Sequence, residues 1–308
     1  MKHTLVGHTG FVGGNLLAAH AFDGLYNSSN IEQSFGADNG LVIYSGMASE
    51  KFLADAHPEQ DLKKAEQALD NMRRMRPEKL VLISTVDVYP HPVDVDENTP
   101  AGGEDAAPYG ANRCLLEQWT RETFPTALIV RLPALLGRGL KKNFIYDMLT
   151  LCPPMLRENK YRELAGQSDL ISRFYKQDAS GFYRLCPLSG EERAQLKAFF
   201  SVNDFNSLAF TDTRSVFQFY DLSRLWKDIE AALAADLRLV NMATQPMSAG
   251  ELYTALYGGV YQNHLPKPPF HYDMRTRHCG VLGGTGGYIM SNQEIVEAVR
   301  LFSQGFLP

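Results

Sequence analysis

The stretch Leu5-Val6-Gly7-His8-Thr9-Gly10-Phe11-Val12-Gly13-Gly14-Asn15-Leu16-Leu17 decides how the rest of the chain is read. A short apolar run enters a turn punctuated by glycine and leaves into a second apolar segment of helical character. Gly7 permits a sharp turn out of a strand. Gly10 lets the backbone approach an anion that a Cβ would hold off, and Gly13 lets a helix pack closely on a sheet. A helix that starts here presents free N–H groups and the positive end of its dipole, so it can receive a phosphate without a basic side chain. Strand, glycine turn and helix in this order form the context of a dinucleotide-binding loop, with Thr9, Phe11 and Val12 lying between its glycines. His8 has no neighbour that would give it a catalytic part.

Composition narrows the classes. The 308 residues, 44% apolar and 21% charged, are ordinary for a globular enzyme and suffice for one large or two medium domains. A net charge of -5 gives no cationic footprint for a nucleic acid. The four cysteines, Cys114, Cys152, Cys186 and Cys279, are widely spaced without a CxxC pair. They suggest neither a metal site nor a disulfide framework, and fit a reducing compartment. The first strand begins next to Met1, leaving no room for a secretory signal, and no run of about 18 apolar residues could span a membrane. A cytoplasmic protein without membrane or nucleic-acid partners is expected.

Strands and helices alternate through the first half. Gly24 to Asn30 reads as a short strand ending in a polar turn, where an adenosine ribose is recognised. An acid there would hold the 2′-hydroxyl of NAD, whereas an arginine would suit the 2′-phosphate of NADP. Asn27, Ser28 and Ser29 are neither, so NAD(P) is expected, with the missing acid tipping the balance slightly toward NADP. Leu41 to Ala48 is a buried strand ending in Gly46 and Ala48; these small residues fit a cofactor passing over them, or equally tight packing. Leu62, Ala65, Leu69 and Met72 recur at helical spacing from Glu59 to about Arg76, ended by Pro77. Lys79 to Thr85 is the next strand. This alternation predicts a doubly wound parallel α/β sheet with ligands beyond the strands' carboxyl ends. Pro90 to Pro108 is expected to be a mobile acidic loop, and Pro108 opens a helix that sets Tyr109 and Arg113 one turn apart.

Three further pieces join the glycine loop: Ser84-Thr85-Val86-Asp87-Val88-Tyr89 at a strand end, Tyr109 with a cation four residues on, and the segment Arg214 to Asp221. Together they resemble the extended short-chain dehydrogenases/reductases, the superfamily of sugar-nucleotide epimerases, dehydratases and reductases, over nearly the whole chain. The resemblance implies a Rossmann domain from residues 1–133 plus 214–236, and a smaller mixed substrate-binding lobe from 134–213 plus 237–308. It makes Thr85 the hydrogen-bond partner of the reacting oxygen, with Ser84 beside the cofactor. Tyr109 is the acid/base for hydride transfer, and Tyr89 is packing.

A Tyr of pKa near 10 needs about 4 kcal/mol of differential stabilisation to act near pH 7, which a fixed cation can supply. The family uses Lys four residues after the Tyr, whereas this chain has Arg113, a planar fork rather than a point charge. The pair could also be an ordinary helix start with a surface cation. Asp87 stands where family dehydratases carry an acidic residue that takes a proton beside the sugar ketone; a solvated turn aspartate is the alternative.

The resemblance further implies backbone contacts to the nicotinamide from Leu132 and Pro133. Asn143 touches a bound nucleotide sugar, and Arg214 holds its diphosphate. Arg275 and Arg277 are either a second phosphate contact or a solvated pair. Residues 150–210 are helical and irregular, and Gly283 to Gly287 is a flexible turn. Relatives pair the helices of residues 59–76 and 109–123 into a homodimer, with Leu62, Leu69, Met72, Leu115, Leu116 and Trp119 as the apolar contributors. The expected activity is therefore NAD(P)-dependent epimerisation, dehydration or reduction of a nucleotide-activated sugar. A cofactor-binding regulator that has lost its Lys and a reductase of a small carbonyl compound are the competing readings.

Overall fold

A computed structural model describes residues 1–47, 50–178 and 181–306, which fall into two compact units. The first unit, Met1–Leu140 with Val216–Met247 and Phe270–Ile295, is built on one six-stranded sheet. Strands β1 (His3–Val6), β2 (Gly24–Tyr26), β3 (Leu41–Tyr44) and β4 (Lys79–Thr85) are joined by Leu128–Leu132 and Leu239–Asn241. Their order is Leu239–Asn241, Leu128–Leu132, β4, β3, β1, β2, and every pairing is parallel. Strand order therefore reverses between β1 and β3, the place where an open parallel sheet leaves a crevice at its carboxyl edge.

The strands are short and apolar because both faces are covered. All four residues of β3 are buried. Helix α1 (Phe11–Ala19) follows the glycine turn, α2 (Lys51–Ala56) follows β3, and α3 (Pro58–Met75) and α4 (Pro108–Thr123) pack against each other. On α3 the stripe Ala65, Ala68, Leu69, Met72 and Met75 is buried against Val42, Leu80, Leu82 and Ile129 of the sheet. Truncating a residue such as Met72, which is 0% exposed, would cost about 2–5 kcal/mol.

The boundaries depart from those expected. Leu239–Asn241 pairs with Ile129 to Arg131 and so completes the main sheet instead of joining the lobe. Residues 270–295 also belong to the first unit, where Asp273–Met274 pairs in parallel with Val93–Val95. That pairing corrects the reading of Pro90 to Pro108 as a loose loop. The Glu97 carboxylate accepts from Asn241 N at 2.8 Å, Thr276 Oγ1 at 2.6 Å and Arg277 N at 2.9 Å, so this acid is a hydrogen-bond anchor.

The second unit comprises Lys141–Ser215, Ser248–Pro269 and the chain from Val296 onward. It contains a three-stranded antiparallel sheet, Met155–Leu156, Tyr183–Leu185 and Tyr175–Gln177, within the region expected to be helical and irregular. Its core gathers Cys152, Leu156, Ile171, Phe174, Leu196 and Phe200. The helix Gly190–Ser201 is started by a reciprocal Ser189–Glu192 capping box. No helix among the described residues is long and apolar enough to cross a membrane.

Candidate active site

The glycine turn has the geometry its sequence demands. Gly7 sits at φ +87°, and a Cβ there would lie 2.6 Å from Ser45 O on the turn after β3. A Cβ on Gly13 would lie 2.2 Å from Gly7 O, so α1 approaches the loop as only glycine allows. Gly10 is the N-cap of α1, with no side chain capping the helix and no acid in its first turn. The first N–H groups of the helix are thereby left to whatever occupies the space before them.

That space is a cavity of about 690 Å³ at the β1–β3 switch point, walled by Gly7, Thr9, Gly10, Phe11 and Val12. Asn27 and Ser28 line it at the end of β2, and Gly46 and Met47 after β3. Ser29 belongs to the same turn, its N and Oγ both donating to Asn27 Oδ1 at 2.9 and 2.6 Å. Ala48 lies outside the described residues. Sequence reading missed the far wall, where Lys64, Gln67 and Asn71 of α3 join Tyr44 and Glu50. An uncapped helix start, a cradle that Cβ atoms would fill and a cavity of this size fit a dinucleotide. His8 bonds the Tyr26 carbonyl at 3.1 Å and serves the turn only.

Thr85, Tyr109 and Arg113 are not among the residues lining this cavity; they gather at the carboxyl end of β4. Thr85 caps a single 3-10 turn, Val86–Val88, its Oγ1 accepting from Asp87 N at 3.2 Å. The start of α4 is pressed onto that turn, since a Cβ on Gly110 would lie 1.9 Å from Asp87 O. Pro108 at the helix start and the bond from Tyr109 N to Asp55 Oδ1, 3.0 Å, fix the neighbouring tyrosine.

Tyr109 is 7% exposed, and burial pushes its hydroxyl above the ordinary value; Arg113 opposes the rise, and Asp87 adds to it. Arg113 thus lowers this pKa as expected, but burial outweighs it and the net direction is upward. Burial is the main reason, and Asp61, which the sequence reading overlooked, adds a smaller push in the same direction. Arg113 spends its fork on that carboxylate, with NH1 to Oδ2 at 2.9 Å and NH2 to Oδ1 at 3.0 Å. The pair is buried, at 3% and 5% side-chain exposure, and Asn112 donates a third bond to Asp61 Oδ2 at 3.1 Å. The Arg113 guanidinium still lies 4.5 Å from the centre of the Tyr109 ring.

Asp87 is not a solvated turn residue. Lys51 Nζ lies 2.8 Å from Oδ1, and Tyr272 Oη donates to the same oxygen at 3.3 Å. Burial and then Asp87 push the Tyr272 hydroxyl far up, which keeps it a donor. Ser84 is committed elsewhere. It donates to Glu117 Oε1 at 2.6 Å within a buried network in which Arg131 NH2 meets Glu117 Oε2 at 2.6 Å and Tyr89 accepts from Arg131. Tyr89 is thus packing, as expected, with a polar anchor. Leu132 pairs with Thr85, and Pro133 follows it.

Of the substrate residues, Asn143 is the N-cap of the helix Phe144–Thr150, accepting from Tyr146 N at 3.2 Å. Arg214 is held by Asp212 at 2.6 Å and keeps 49% of its side chain exposed. Both belong to the second unit. Arg275, in the first, meets Asp94 at 2.8 Å and Asp273 at 3.4 Å, so acids already partner its charge. Gly287 packs on Arg275 within the glycine-rich segment, which turns back through the Thr285–Tyr288 bridge. Among the described residues no group of three or more His, Cys, Asp or Glu could hold a metal ion.

No family model and no curated protein sequence matches the chain. Solved structures do. It is similar to RMD from Pseudomonas aeruginosa complexed with NADPH, at 15% identity over 99% of this chain and 100% of that one, TM-score 0.62. It is similar to TunA, an NAD-dependent NDP-hexosamine 5,6-dehydratase of tunicamycin biosynthesis, at 15% identity over 99% and 98% of the two chains, TM-score 0.63. A short-chain dehydrogenase/reductase superfamily protein from Agrobacterium tumefaciens with bound NAD matches at 15% identity over 99% and 97%, TM-score 0.59. At this identity the likeness speaks to architecture: the chain has the fold of the extended short-chain dehydrogenases/reductases.

Proposed function

We propose that the protein is an NAD(P)-dependent enzyme that epimerises, dehydrates or reduces a nucleotide-activated sugar. The observation that carries this reading is the pairing of the Gly7–Gly10–Gly13 cradle, opening on a cavity of about 690 Å³, with the Thr85–Tyr109 hydroxyls at the carboxyl end of β4. When bound, the nicotinamide ring supplies a hydride donor or acceptor. Gly7, Gly10 and the start of α1 hold the pyrophosphate; Asn27, Ser28 and Ser29 face the adenosine ribose. Thr85 orients the reacting oxygen, and Tyr109 passes a proton to or from it. Arg113 fixes the Tyr109 ring, while Asn143, Arg214 and Arg275 are proposed to take the nucleotide sugar. The absence of an acid at the end of β2 favours NADP over NAD slightly, while the cavity wall holds both Lys64 and Glu50.

One observation favours a second reading, a cofactor-binding regulator: burial, which Arg113 opposes without overcoming, leaves Tyr109 a weaker acid than free tyrosine. Titration with NADH and NADPH by cofactor fluorescence, followed by turnover assays on a panel of nucleoside diphosphate sugars, separates the two. Tight cofactor binding without turnover of any sugar would favour the regulator. We also propose a cytoplasmic homodimer through α3 and α4. Leu69, Met72 and Leu116 are consumed by the core, so Leu115, 37% exposed, and the partly buried Leu62 and Trp119 would carry the contact. A monomeric mass in dilute solution would count against it.

A further inference from the structure

The Asp87 carboxylate is gripped at one oxygen by two side chains that neither the glycine loop nor the tyrosine helix supplies. Lys51 comes from the first turn of α2, and Tyr272 from the segment that returns to the first unit near Phe270. Both address Oδ1, at 2.8 and 3.3 Å, while Oδ2 lies 3.5 Å from Thr85 Oγ1. Tyr272 has its own support, because the Phe217 ring stacks with it at a centroid distance of 6.3 Å. An ion pair with a partly exposed lysine contributes less than about 1 kcal/mol to stability. Its use here is geometric, for the two donors saturate one oxygen and turn the other toward the hydroxyl assigned to the reacting oxygen.

We propose that Lys51 and Tyr272 are positioning residues for Asp87, to which the resemblance to family dehydratases already gives the removal of a proton from the carbon next to the substrate's carbonyl. The inference rests on the proposed function, since that carbonyl arises when the substrate's carbinol has given its hydride to the nicotinamide cofactor. The step balances within the site. The C–H bond breaks, an O–H bond forms on Asp87 Oδ2, and the C–H electron pair moves into an enolate whose oxygen stays with the Thr85 and Tyr109 hydroxyls. Return of the proton to carbon restores the carboxylate. The groups facing Asp87 are Lys51 from α2, Thr85 from β4, Tyr109 from α4 and Tyr272. Tyr272 stays protonated because burial and the carboxylate both oppose its ionisation. A simple ketone reduction has no need of a second proton carrier beside Thr85 and Tyr109, so the arrangement selects substrates with an acidic C–H beside the oxidised carbon.

The test runs the full chain in D2O with oxidised NAD or NADP and a panel of nucleoside diphosphate hexoses. NMR follows deuterium entering beside the oxidised carbon, and single-turnover nicotinamide absorbance follows hydride transfer. The parent should exchange. Lys51→Met and Tyr272→Phe should each slow exchange relative to hydride transfer by about tenfold to a hundredfold, the cost of a misplaced reacting group. Lys51→Arg, which keeps the cation, should restore most of it. Hydride transfer without exchange in the parent, or equal loss of both rates in the two variants, overturns the inference and leaves the proposed function standing. A parent that transfers no hydride from any of these sugars defeats the proposed function, and the inference with it.

Discussion

Breaking the Arg113–Asp61 pair should reveal what the arginine is for. Contacts of 2.9 and 3.0 Å place the two charge centres about 4 Å apart, where attraction amounts to about 4 kcal/mol at an effective dielectric of 20. Removing one partner strands the other charge at 3–5% exposure, so Arg113→Met and Asp61→Leu should each cost about 3–5 kcal/mol. The double variant exchanges a buried ion pair for apolar volume and should fall within about 1 kcal/mol of the parent. In a unit of about 200 residues, each single variant then lowers the unfolding midpoint by roughly 10 °C. Thermal and urea unfolding of all four proteins gives the coupling energy directly. Additive single effects, or losses under about 1 kcal/mol, would refute the reasoning. They would mean that Arg113 is not committed to Asp61 and is free to serve the tyrosine or the cofactor.

Three other outcomes are expected. Gly13→Ala drives a Cβ to 2.2 Å from Gly7 O; it should destabilise by about 1–3 kcal/mol and weaken NADPH binding at least about tenfold. Unchanged affinity by cofactor fluorescence would remove the glycine loop from the site. Glu117→Ala strands Arg131, 2% exposed, and should cost about 3–5 kcal/mol in urea unfolding, whereas an effect near zero would show the network to be slack. Burial raises the Asp147 carboxyl from its ordinary 3.8 to about 7. Between those values the folded state keeps a proton that the unfolded chain releases. Stability of the second unit should therefore fall as pH rises from about 4 to 7 and level off above, by about 2–4 kcal/mol in all. Asp147→Asn should abolish that slope, and an unchanged pH dependence of unfolding would count against the buried carboxyl.

The parts of the fold legible in the sequence are those whose demands are local. Gly10 and Gly13 answer constraints set by Gly7 in the same loop, Gly7 itself turns at positive φ, and the α3 stripe declares its buried face by spacing alone. Pro108 marks the start of α4 in the same way. Illegible were the strands of two or three residues in the second unit, which are too short to show alternation. Also hidden was the pairing of Val93–Val95 with Asp273–Met274, which turns an acidic, proline-rich stretch into an anchored one.

The candidate site divides along the same line. Thr85, Asp87 and Tyr109 were found by spacing along one strand end and one helix start. The groups that set their chemistry come from far away: Asp61 is 52 residues from Arg113, Lys51 is 36 and Tyr272 is 185 from Asp87. A four-residue helical spacing places a cation beside a tyrosine but says nothing of what else that cation touches. A signal was nevertheless present. Asp61 lies on the same face of α3 as Ala65, Ala68 and Met72, all buried, and a carboxylate on a buried face requires a partner. With that partner in place the guanidinium still lowers the Tyr109 pKa, but less than burial raises it. Burial then governs its hydroxyl, whose pKa rises instead of falling. What the structure adds to the spacing is how these side chains are held: Thr85 by the turn it caps, Asp87 by Lys51 and Tyr272.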